Sequence, residues 1–152
     1  MSESDLLLVA ENDAGEIIGF AGAGYGSREK ISKLFPGLDA EATAKLVTVG
    51  KAATLRLLAV RRAWQRRGVG SQLHDRRMEW LAERHVEQTI CIAWERSDTG
   101  AAAVRLLEEG GFKLLLRVPN FWGDVVPSNP SEYCPACGEV CRCFAQIWRW
   151  PN

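Results

Sequence analysis

Four cysteines near the end of the chain have the spacing of a metal site. They are Cys134, Cys137, Cys141 and Cys143, and the first two belong to a Cys-Pro-Ala-Cys-Gly turn. Four thiolates so close in sequence can close a tetrahedral site with no open position, which is typical of structural zinc. We therefore predict a four-cysteine zinc site that supports a loop and activates no water.

The same thiols admit three other chemistries. An iron–sulfur cluster also takes four thiolates, but its common spacings differ from this one. Cys134 and Cys137 alone would suit a redox pair, although no thioredoxin-like strand and helix surround them. Two disulfides are disfavoured in a cytosolic chain. The fifth cysteine, Cys91, lies in an apolar run and is predicted to be an inert core residue.

A second group of residues has the chemistry of an anion site. An apolar run that ends at Val60 reads as a buried strand, and an amphipathic helix is predicted to open at Gly68. Backbone N–H groups at a helix N-terminus lack helical partners and favour negative charge, so this junction can hold a phosphate. Arg61, Arg62 and the pair Arg66-Arg67 add positive charge. The alternative is that the glycines only permit tight packing.

The junction resembles the acyl-CoA site of the GCN5-related N-acetyltransferases, the GNAT superfamily. The resemblance rests on Leu58-Ala59-Val60, on Gln65-x-x-Gly68-x-Gly70 and on a later helix that ends in Gly111-Phe112. It implies acetyl-CoA as co-substrate and a mixed, mostly antiparallel sheet flanked by helices. It also implies that backbone amides of the turn hold the pyrophosphate and that the strand lines a cleft for pantetheine. The implied cofactor-binding residues are Leu58, Val60, Gln65, Arg66, Arg67, Gly68, Val69, Gly70 and Ser71.

Glu95 is the candidate catalytic residue. Acyl transfer needs a neutral amine, so a general base is useful. By resemblance, Glu95 occupies the position of a glutamate that serves as base in the branch that acetylates protein N-termini. At the mouth of a low-dielectric cleft we expect its pKa to be raised. The alternative is a solvated glutamate at a strand end, paired with Arg96 or Arg56.

The chain departs from the family pattern in two places. Leu107 stands where members often carry a tyrosine that protonates the leaving thiolate, and Tyr25 and Tyr133 are the only tyrosines that could replace it. The chain also begins where the family's second strand begins, which implies a shortened N-terminus. Residues 28–50 would then wall the acceptor side in part, or a partner chain would, which leaves a homodimer open.

The elements that must position these residues form an α/β pattern in a single domain, residues 1–152. A stretch at 123–143 is the predicted zinc-binding loop between the last two strands. The histidines at 74 and 85 are predicted to lie on exposed helical surface. The predicted elements are a hairpin of Leu6–Ala10 and Ile17–Ala23, helices at 28–35 and 39–47 split by Pro36-Gly37, a buried strand at 53–60, a helix from Gly68 to near His85, a strand at 89–94, a helix capped within Ser97–Thr99 and ended by Gly110-Gly111, and strands at 112–118 and 144–150.

Charge and hydropathy exclude several classes of protein. The chain has 19 basic and 19 acidic residues, a balance that argues against nucleic acid as the main partner. It shows neither a signal-peptide pattern nor an apolar run long enough for a membrane span. We predict a cytoplasmic protein.

The sequence thus predicts an N-acetyltransferase that moves an acetyl group from acetyl-CoA to a primary amine by direct attack. The alternative is a catalytically weak or inactive module that binds or senses acyl-CoA and docks a partner through a zinc-stabilised loop. Nothing in the sequence distinguishes one amine acceptor from another.

Overall fold

A computed structural model describes residues 4–35, 38–123 and 127–151. Within these ranges the chain forms a mixed α/β fold with a seven-stranded, mostly antiparallel sheet, as predicted. None of the described helices has the length and the apolarity needed to cross a membrane. The strands are β1 Asp5–Glu11, β2 Ile17–Ser27, β3 Lys51–Val60, β4 Gln88–Arg96, β5 Gly100–Ala101, β6 Lys113–Val118 and β7 Phe144–Trp150; the helices are α1 Arg28–Ser32, α2 Ala40–Leu46, α3 Val69–Glu83 and α4 Val104–Glu109.

The chain divides into two compact units. The first contains residues 1–34 and 47–89, and the second contains residues 35–46 and 90–152. In the first unit β2 lies between β1 and β3, and both pairings are antiparallel. In the second unit β7 lies between β4 and β6, and β5 pairs with the end of β4.

The predicted hairpin of the first unit is confirmed. Its turn is organised by Asn12, whose side-chain oxygen accepts hydrogen bonds from the backbone N–H groups of Ala14 and Glu16, each at 3.0 Å. Gly15 has φ +76°, which glycine adopts without steric cost. Local turn chemistry therefore sets the register of β1 against β2.

Strand β3 is buried in its first part only, although its whole sequence is largely apolar. Residues 52–55 are buried, whereas Leu57 is 73% exposed. The pairing of β2 with β3 shifts between Ala21 and Gly22, and this β-bulge leaves Leu57 as the extra residue. A bulge interrupts the alternation of side chains along a strand. The prediction of a buried strand over residues 53–60 is therefore wrong beyond the bulge.

Helix α3 contacts the sheet of this unit through charged as well as apolar side chains. Leu73 and Leu81 are buried, as predicted, but Arg77 and His74 are also buried, each with 3% exposure. The Arg77 Nη1 group donates to the carbonyl oxygens of Arg56 at 3.1 Å and Gly22 at 3.4 Å. These carbonyls belong to paired residues beside the bulge, so Arg77 joins the helix to both strands there.

The placement of His74 on exposed surface is thus a wrong prediction. His74 Nδ1 lies 3.0 Å from Nη2 of Arg77 and accepts a hydrogen bond from its Nε at 3.3 Å. The ring lies on the buried side of α3 because it is three residues from Arg77, within one helical turn. His85, by contrast, is exposed, just past the end of the helix.

In the second unit, the turn after β4 differs from the prediction. We expected Ser97, Asp98 or Thr99 to cap a helix, but the helix begins only at Val104. The Asp98 carboxylate instead accepts two hydrogen bonds from Arg96, at 2.8 and 2.7 Å. Gly100, at φ +77°, then turns the chain back to form β5. A carboxylate already bound to Arg96 is not free to cap.

Two other helix ends follow the sequence, and the end of α1 does not. Asp39 caps α2 by accepting from the Ala42 N–H at 2.7 Å. Gly111, at φ +79°, ends α4, and the Phe112 N–H returns to the Leu107 carbonyl at 2.9 Å. Helix α1 ends at Ser32, three residues earlier than predicted. The predicted break at residues 36–37 lies outside the described residues.

Because His74 is buried, we expect the unfolding free energy to fall in acid. Desolvation, followed by the charge of Arg77, lowers the pKa of His74 from 6.5 to about 4. The unfolded chain therefore binds a proton in the range between these values that the folded chain does not. The part of the unfolding free energy that depends on neutral His74 is therefore fully present above about pH 6.5. It is lost as the pH falls through 4, by on the order of 3 kcal/mol in total.

We expect His74→Gln to flatten the dependence of unfolding free energy on pH between 6.5 and 4. Glutamine stays neutral and can still accept a hydrogen bond from Arg77. Urea unfolding at a series of pH values measures the slope, with His85→Gln as the matched control. An unchanged slope in His74→Gln would show that this ring does not titrate as its burial requires.

Candidate functional site

The turn between β3 and α3 is held in place by its own residues. The Gln65 side chain donates from Nε2 to the Val60 carbonyl at 2.9 Å, which ties the turn to the end of the strand. A short 3₁₀ helix, Arg62–Trp64, lies between Val60 and Gln65 in the sequence. Arg66 has φ +62° and Gly68 has φ +82°, so two residues of the turn adopt left-handed backbone conformations. These backbone conformations and the bond from Gln65 define the shape of the turn.

The two glycines of this turn have different reasons to be glycine. Gly68 is the N-cap of α3 and its positive φ favours glycine. Gly70 is helical, and a Cβ there would lie 3.7 Å from side-chain atoms of Leu58 and Val60, an ordinary contact distance. Packing therefore does not require glycine at position 70. This disfavours the alternative that the glycine spacing serves packing alone.

The nine predicted cofactor-binding residues all lie between positions 58 and 71, in the first unit. Leu58 and Val60 are partly buried at the end of β3, Gln65 to Gly68 form the exposed turn, and Ser71 is exposed in the first turn of α3. The first N–H groups of this helix have no intrahelical acceptor. Four exposed arginines, Arg61, Arg62, Arg66 and Arg67, belong to the same segment. Helix dipole and arginines together favour an anion here.

Glu95 lies at the end of β4 in the second unit, inside a hydrogen-bonded network. Arg117 donates from Nε and Nη2 to its two carboxylate oxygens, at 2.8 and 2.6 Å. Gln146 donates from Nε2 to the same carboxylate at 2.7 Å. The indole N–H of Trp148 donates to the Gln146 carbonyl oxygen at 3.1 Å, which orients the amide. The Glu95 side chain is 16% exposed.

This network reverses the expected shift in the pKa of Glu95. The hydrogen bonds from Arg117, then the one from Gln146, lower the pKa from 4.5 to about 2, and desolvation opposes them only in part. The expected rise in pKa is therefore wrong, because a bidentate guanidinium stabilises the charged form. The partner is also not Arg96 or Arg56: Arg96 binds Asp98, and Arg56 lies 3.0 Å from Asp5.

Arg117 and Gln146 are the residues that sequence reasoning missed. They lie opposite each other in the antiparallel pair of β6 and β7. Arg117 also stacks on Phe144, with its guanidinium carbon 3.5 Å from the ring centroid. The available signal was an arginine and a glutamine at facing positions of the last two predicted strands, but the sequence did not place β7 beside β4.

The four predicted metal ligands are close together. All four sulfur atoms of Cys134, Cys137, Cys141 and Cys143 lie within 4.8 Å of one another. Cys143 Sγ is 3.7 Å from Cys134 Sγ and 3.5 Å from Cys137 Sγ. A tetrahedron with Zn–S bonds of about 2.3 Å has edges of roughly 3.8 Å. The two distances from Cys143 are close to this edge length, and all four sulfurs are near enough to one another to share one metal ion.

The backbone around the cysteines has the form of a knuckle. Cys134 and Gly138 exchange N–H to carbonyl hydrogen bonds at 3.0 and 2.8 Å, and Gly138 has φ +86°. The Arg142 N–H donates to Cys137 Sγ at 3.3 Å, and the Ser97 hydroxyl lies 3.1 Å from the same sulfur. Such donors stabilise thiolate charge, and thiolates are the form that binds metal.

The structure also places the other residues that the sequence singled out. Leu107 is 1% exposed and belongs to the core of the second unit. Tyr25 packs against Trp80 with ring centroids 5.5 Å apart, and the Lys51 ammonium lies over its ring at 4.9 Å. Tyr133 is partly buried at the residue before Cys134. Cys91 is buried, as predicted.

Comparison with solved structures supports the fold. Arabidopsis thaliana NAA60 in complex with a bisubstrate analogue is 14% identical, with a TM-score of 0.64 over 97% of this chain and 75% of that chain. The same protein in complex with acetyl-CoA is 13% identical, with a TM-score of 0.63 over 98% and 77%. The ribosomal-protein-S18-alanine N-acetyltransferase from Escherichia coli is 19% identical, with a TM-score of 0.60 over 98% and 70%. At these identities the likeness shows the fold alone.

Sequence comparison identifies the family. A search of curated proteins gave no significant match. The family model described as Acetyltransferase (GNAT) family matches residues 1–112, which is most of the chain and includes the whole turn from Gln65 to Ser71. Fold, turn and family model agree, and the chain therefore belongs to the acetyltransferase (GNAT) family of N-acyltransferases.

Proposed function

We propose that this protein transfers an acetyl group from acetyl-CoA to a primary amine. The observation that carries the proposal is the turn before α3, where Gln65 is bonded to Val60, Gly68 has a positive φ, and four exposed arginines belong to the segment that leads into the first helical N–H groups. These amides would bind the pyrophosphate of the cofactor. The relatives solved with acetyl-CoA and with a bisubstrate analogue support the choice of cofactor and of reaction.

The reaction we propose is a direct attack. The neutral amine nitrogen attacks the thioester carbonyl carbon, a C–N bond forms, and the C–S bond breaks as the tetrahedral intermediate collapses. The amine loses one proton and the CoA thiolate gains one. The buried Leu107 cannot supply that proton, so it comes from solvent or from the attacking nitrogen.

Glu95 remains our proposed base for the amine, with a condition added. A carboxylate whose pKa is about 2 accepts a proton poorly at neutral pH. Glu95 would act as base only after its bonds to Arg117 loosen, for example when the acceptor binds. Arg117 thereby becomes the residue that controls the basicity of the site.

The second candidate function is a module that binds acyl-CoA with little or no turnover. Two observations favour it: the leucine at position 107 and the ion pair that occupies Glu95. Such a module would keep the cofactor turn and would dock a partner through the cysteine loop. Binding and turnover must therefore be measured separately.

For the cysteine cluster we propose a structural zinc ion. The donor set fits it, because the four sulfurs lie within 4.8 Å of one another and backbone and hydroxyl groups contact Cys137. Zinc held by all four thiolates would offset part of their negative charge and would make the loop rigid. It would have no open position for water, so it takes no part in the chemistry.

The proposed cofactor-binding turn, Gln65 to Ser71, is tested by adding a negative charge to it. We expect Ser71→Asp to weaken acetyl-CoA binding about tenfold or more, because a carboxylate in the first turn repels the pyrophosphate. The same carboxylate favours the helix dipole, so folding is preserved. Ser71→Asn is the matched neutral control. Titration calorimetry measures both affinities, and an unaltered affinity in Ser71→Asp would place the cofactor elsewhere.

The base is tested by Glu95→Gln. We expect the rate of acetyl-CoA consumption with an accepted amine to fall roughly a hundredfold, while the affinity for acetyl-CoA is unchanged. Glu108→Gln, an exposed glutamate on α4, is the control. An undiminished rate would remove Glu95 from the mechanism.

A second variant distinguishes a base from a structural carboxylate. Arg117→Met removes the main cause of the low pKa of Glu95, so that pKa rises toward its ordinary value. If Glu95 is the base, the acid limb of the pH–rate profile moves to higher pH by the same amount. A profile that keeps its shape would leave Glu95 with a structural role only.

The metal site is tested by Cys137→Ser. We expect the variant to lose one equivalent of zinc per chain and about 3 kcal/mol of stability, which lowers Tm by roughly 6–12 °C in a chain of this size. Cys91→Ala, which changes the cysteine outside the cluster, should retain the metal. Elemental analysis of the purified protein measures both, and iron in place of zinc, or no metal, would contradict the proposal.

A further inference from the structure

Ser97 links the end of β4 to the cysteine cluster. It is the first residue after this strand, in the turn that leads to β5. Its hydroxyl oxygen lies 3.1 Å from the Cys137 sulfur, and its backbone is hydrogen-bonded to Cys143. A metal-bound thiolate has no proton, so the hydroxyl would be the donor to Cys137 in the loaded protein. One residue next to β4 therefore contacts two of the four predicted metal ligands.

The turn that contains Ser97 is joined firmly to the strand. Arg96 donates to the Asp98 carboxylate at 2.8 and 2.7 Å, and these bonds span Ser97. On the other side, β5 pairs with the end of β4, with Glu95 opposite Ala101. Because the turn is bonded to the strand on both sides, a displacement of Ser97 also moves the end of β4.

The cluster has a second attachment, to β7. Cys143 is fully buried and directly precedes Phe144, the first residue of this strand. The Phe144 ring lies against the Arg117 guanidinium, with the guanidinium carbon 3.5 Å from the ring centroid. Gln146 follows three residues after Cys143 and donates to Glu95 at 2.7 Å. The start of β7 thus carries one donor to Glu95 and contacts the other.

Glu95 lies between these two attachments. It comes two residues before Ser97 on β4, and its carboxylate is bound to a residue of β7. The Cys143 sulfur, which belongs to the β7 side, is 3.5 Å from the Cys137 sulfur, which Ser97 contacts. Four thiolates around one metal ion keep nearly fixed distances from one another. A bound metal would therefore fix the separation of the two strand ends that hold the carboxylate.

We propose that Ser97 is a positioning residue, through which the metal-loaded cysteine cluster holds the Glu95 carboxylate in its hydrogen-bonded position. Loss of the metal would release the end of β4 from the start of β7 and loosen the bonds to Glu95. This role deepens the proposed function and rests on it, since it requires Glu95 as the base and a metal bound by the cysteines. The metal would then govern the base from a distance, without a place in the chemistry.

The contact between Ser97 and the cluster is tested with cobalt(II), which replaces zinc and absorbs visible light. We expect Ser97→Ala to move the sulfur-to-cobalt charge-transfer band to longer wavelength, because the Cys137 thiolate loses a hydrogen bond. Ser97→Thr keeps the hydroxyl and should keep the wild-type band, and Ser131→Ala removes an exposed hydroxyl elsewhere as the control. An unchanged band in Ser97→Ala, or a wild-type chain that binds no cobalt, would overturn the proposal.

The effect on Glu95 is tested by NMR of the side-chain N–H groups that donate to it. The signals of Arg117 Nε–H and of the Gln146 amide are followed in the zinc-loaded chain, after a chelator has removed the zinc, and in zinc-loaded Ser97→Ala. We expect both signals to move in the second and third samples. The control is Arg105 Nε–H, which forms a 2.7 Å bond within α4 and should not move. Signals of the two donors that stay in place would overturn the proposal.

Kinetics connects this positioning role with turnover. We expect Ser97→Ala to lower kcat about fivefold, roughly the effect of one hydrogen bond, with KM for acetyl-CoA unchanged. Ser97→Thr should restore kcat, whereas an undiminished kcat in Ser97→Ala would contradict the positioning role. A wild-type chain that acetylates no amine would contradict the proposed function instead. The NMR signals would still show whether the metal holds Glu95, so the two failures are distinguishable.

Discussion

The buried guanidinium of Arg77 is the constraint on which the first unit depends. Its Nη1 group donates to carbonyl oxygens of Gly22 and Arg56 beside the β-bulge, where the regular ladder between β2 and β3 is interrupted. Backbone carbonyls that are buried without a donor cost about as much as a lost hydrogen bond. A charge buried without hydrogen bonds costs more. Helix, bulge and arginine therefore require one another.

This arrangement also determines where the cofactor turn lies. Arg77 is two turns along the helix from the residues whose N–H groups would bind phosphate, and the bulge lies three residues before the strand ends at Val60. Fixing the helix at Arg77 fixes the direction in which its N-terminus points. The hydrogen bond from Gln65 to Val60 then closes the turn from the other side. The proposed anion site thus depends on a polar contact that is remote from it.

Local patterns made the turn predictable, and the absence of local patterns explains the failures. Glycines with positive φ, an aspartate before a helix and four closely spaced cysteines act within a few residues, so their spacing is informative by itself. His74 was misplaced because a polar residue one position from Leu73 reads as surface, whereas the buried side of α3 is polar in that stretch. The partners of Glu95 come from two later strands, and no local pattern indicates which strands become neighbours. The direction predicted for the pKa shift of Glu95 was wrong for the same reason.

The strand order of the second unit has a consequence for synthesis on the ribosome. The last strand in sequence, β7, lies between β4 and β6, so a gap in the middle of this unit is filled last. Until residues 144–150 have left the exit tunnel, β4 and β6 each lack a neighbour on that side, and unpaired strand edges favour aggregation. The hydrogen bonds of Glu95, which need Gln146, and the cysteine cluster, which ends at Cys143, are completed at nearly the same time. The first unit, whose three strands and two helices are all made by residue 89, can form its contacts long before.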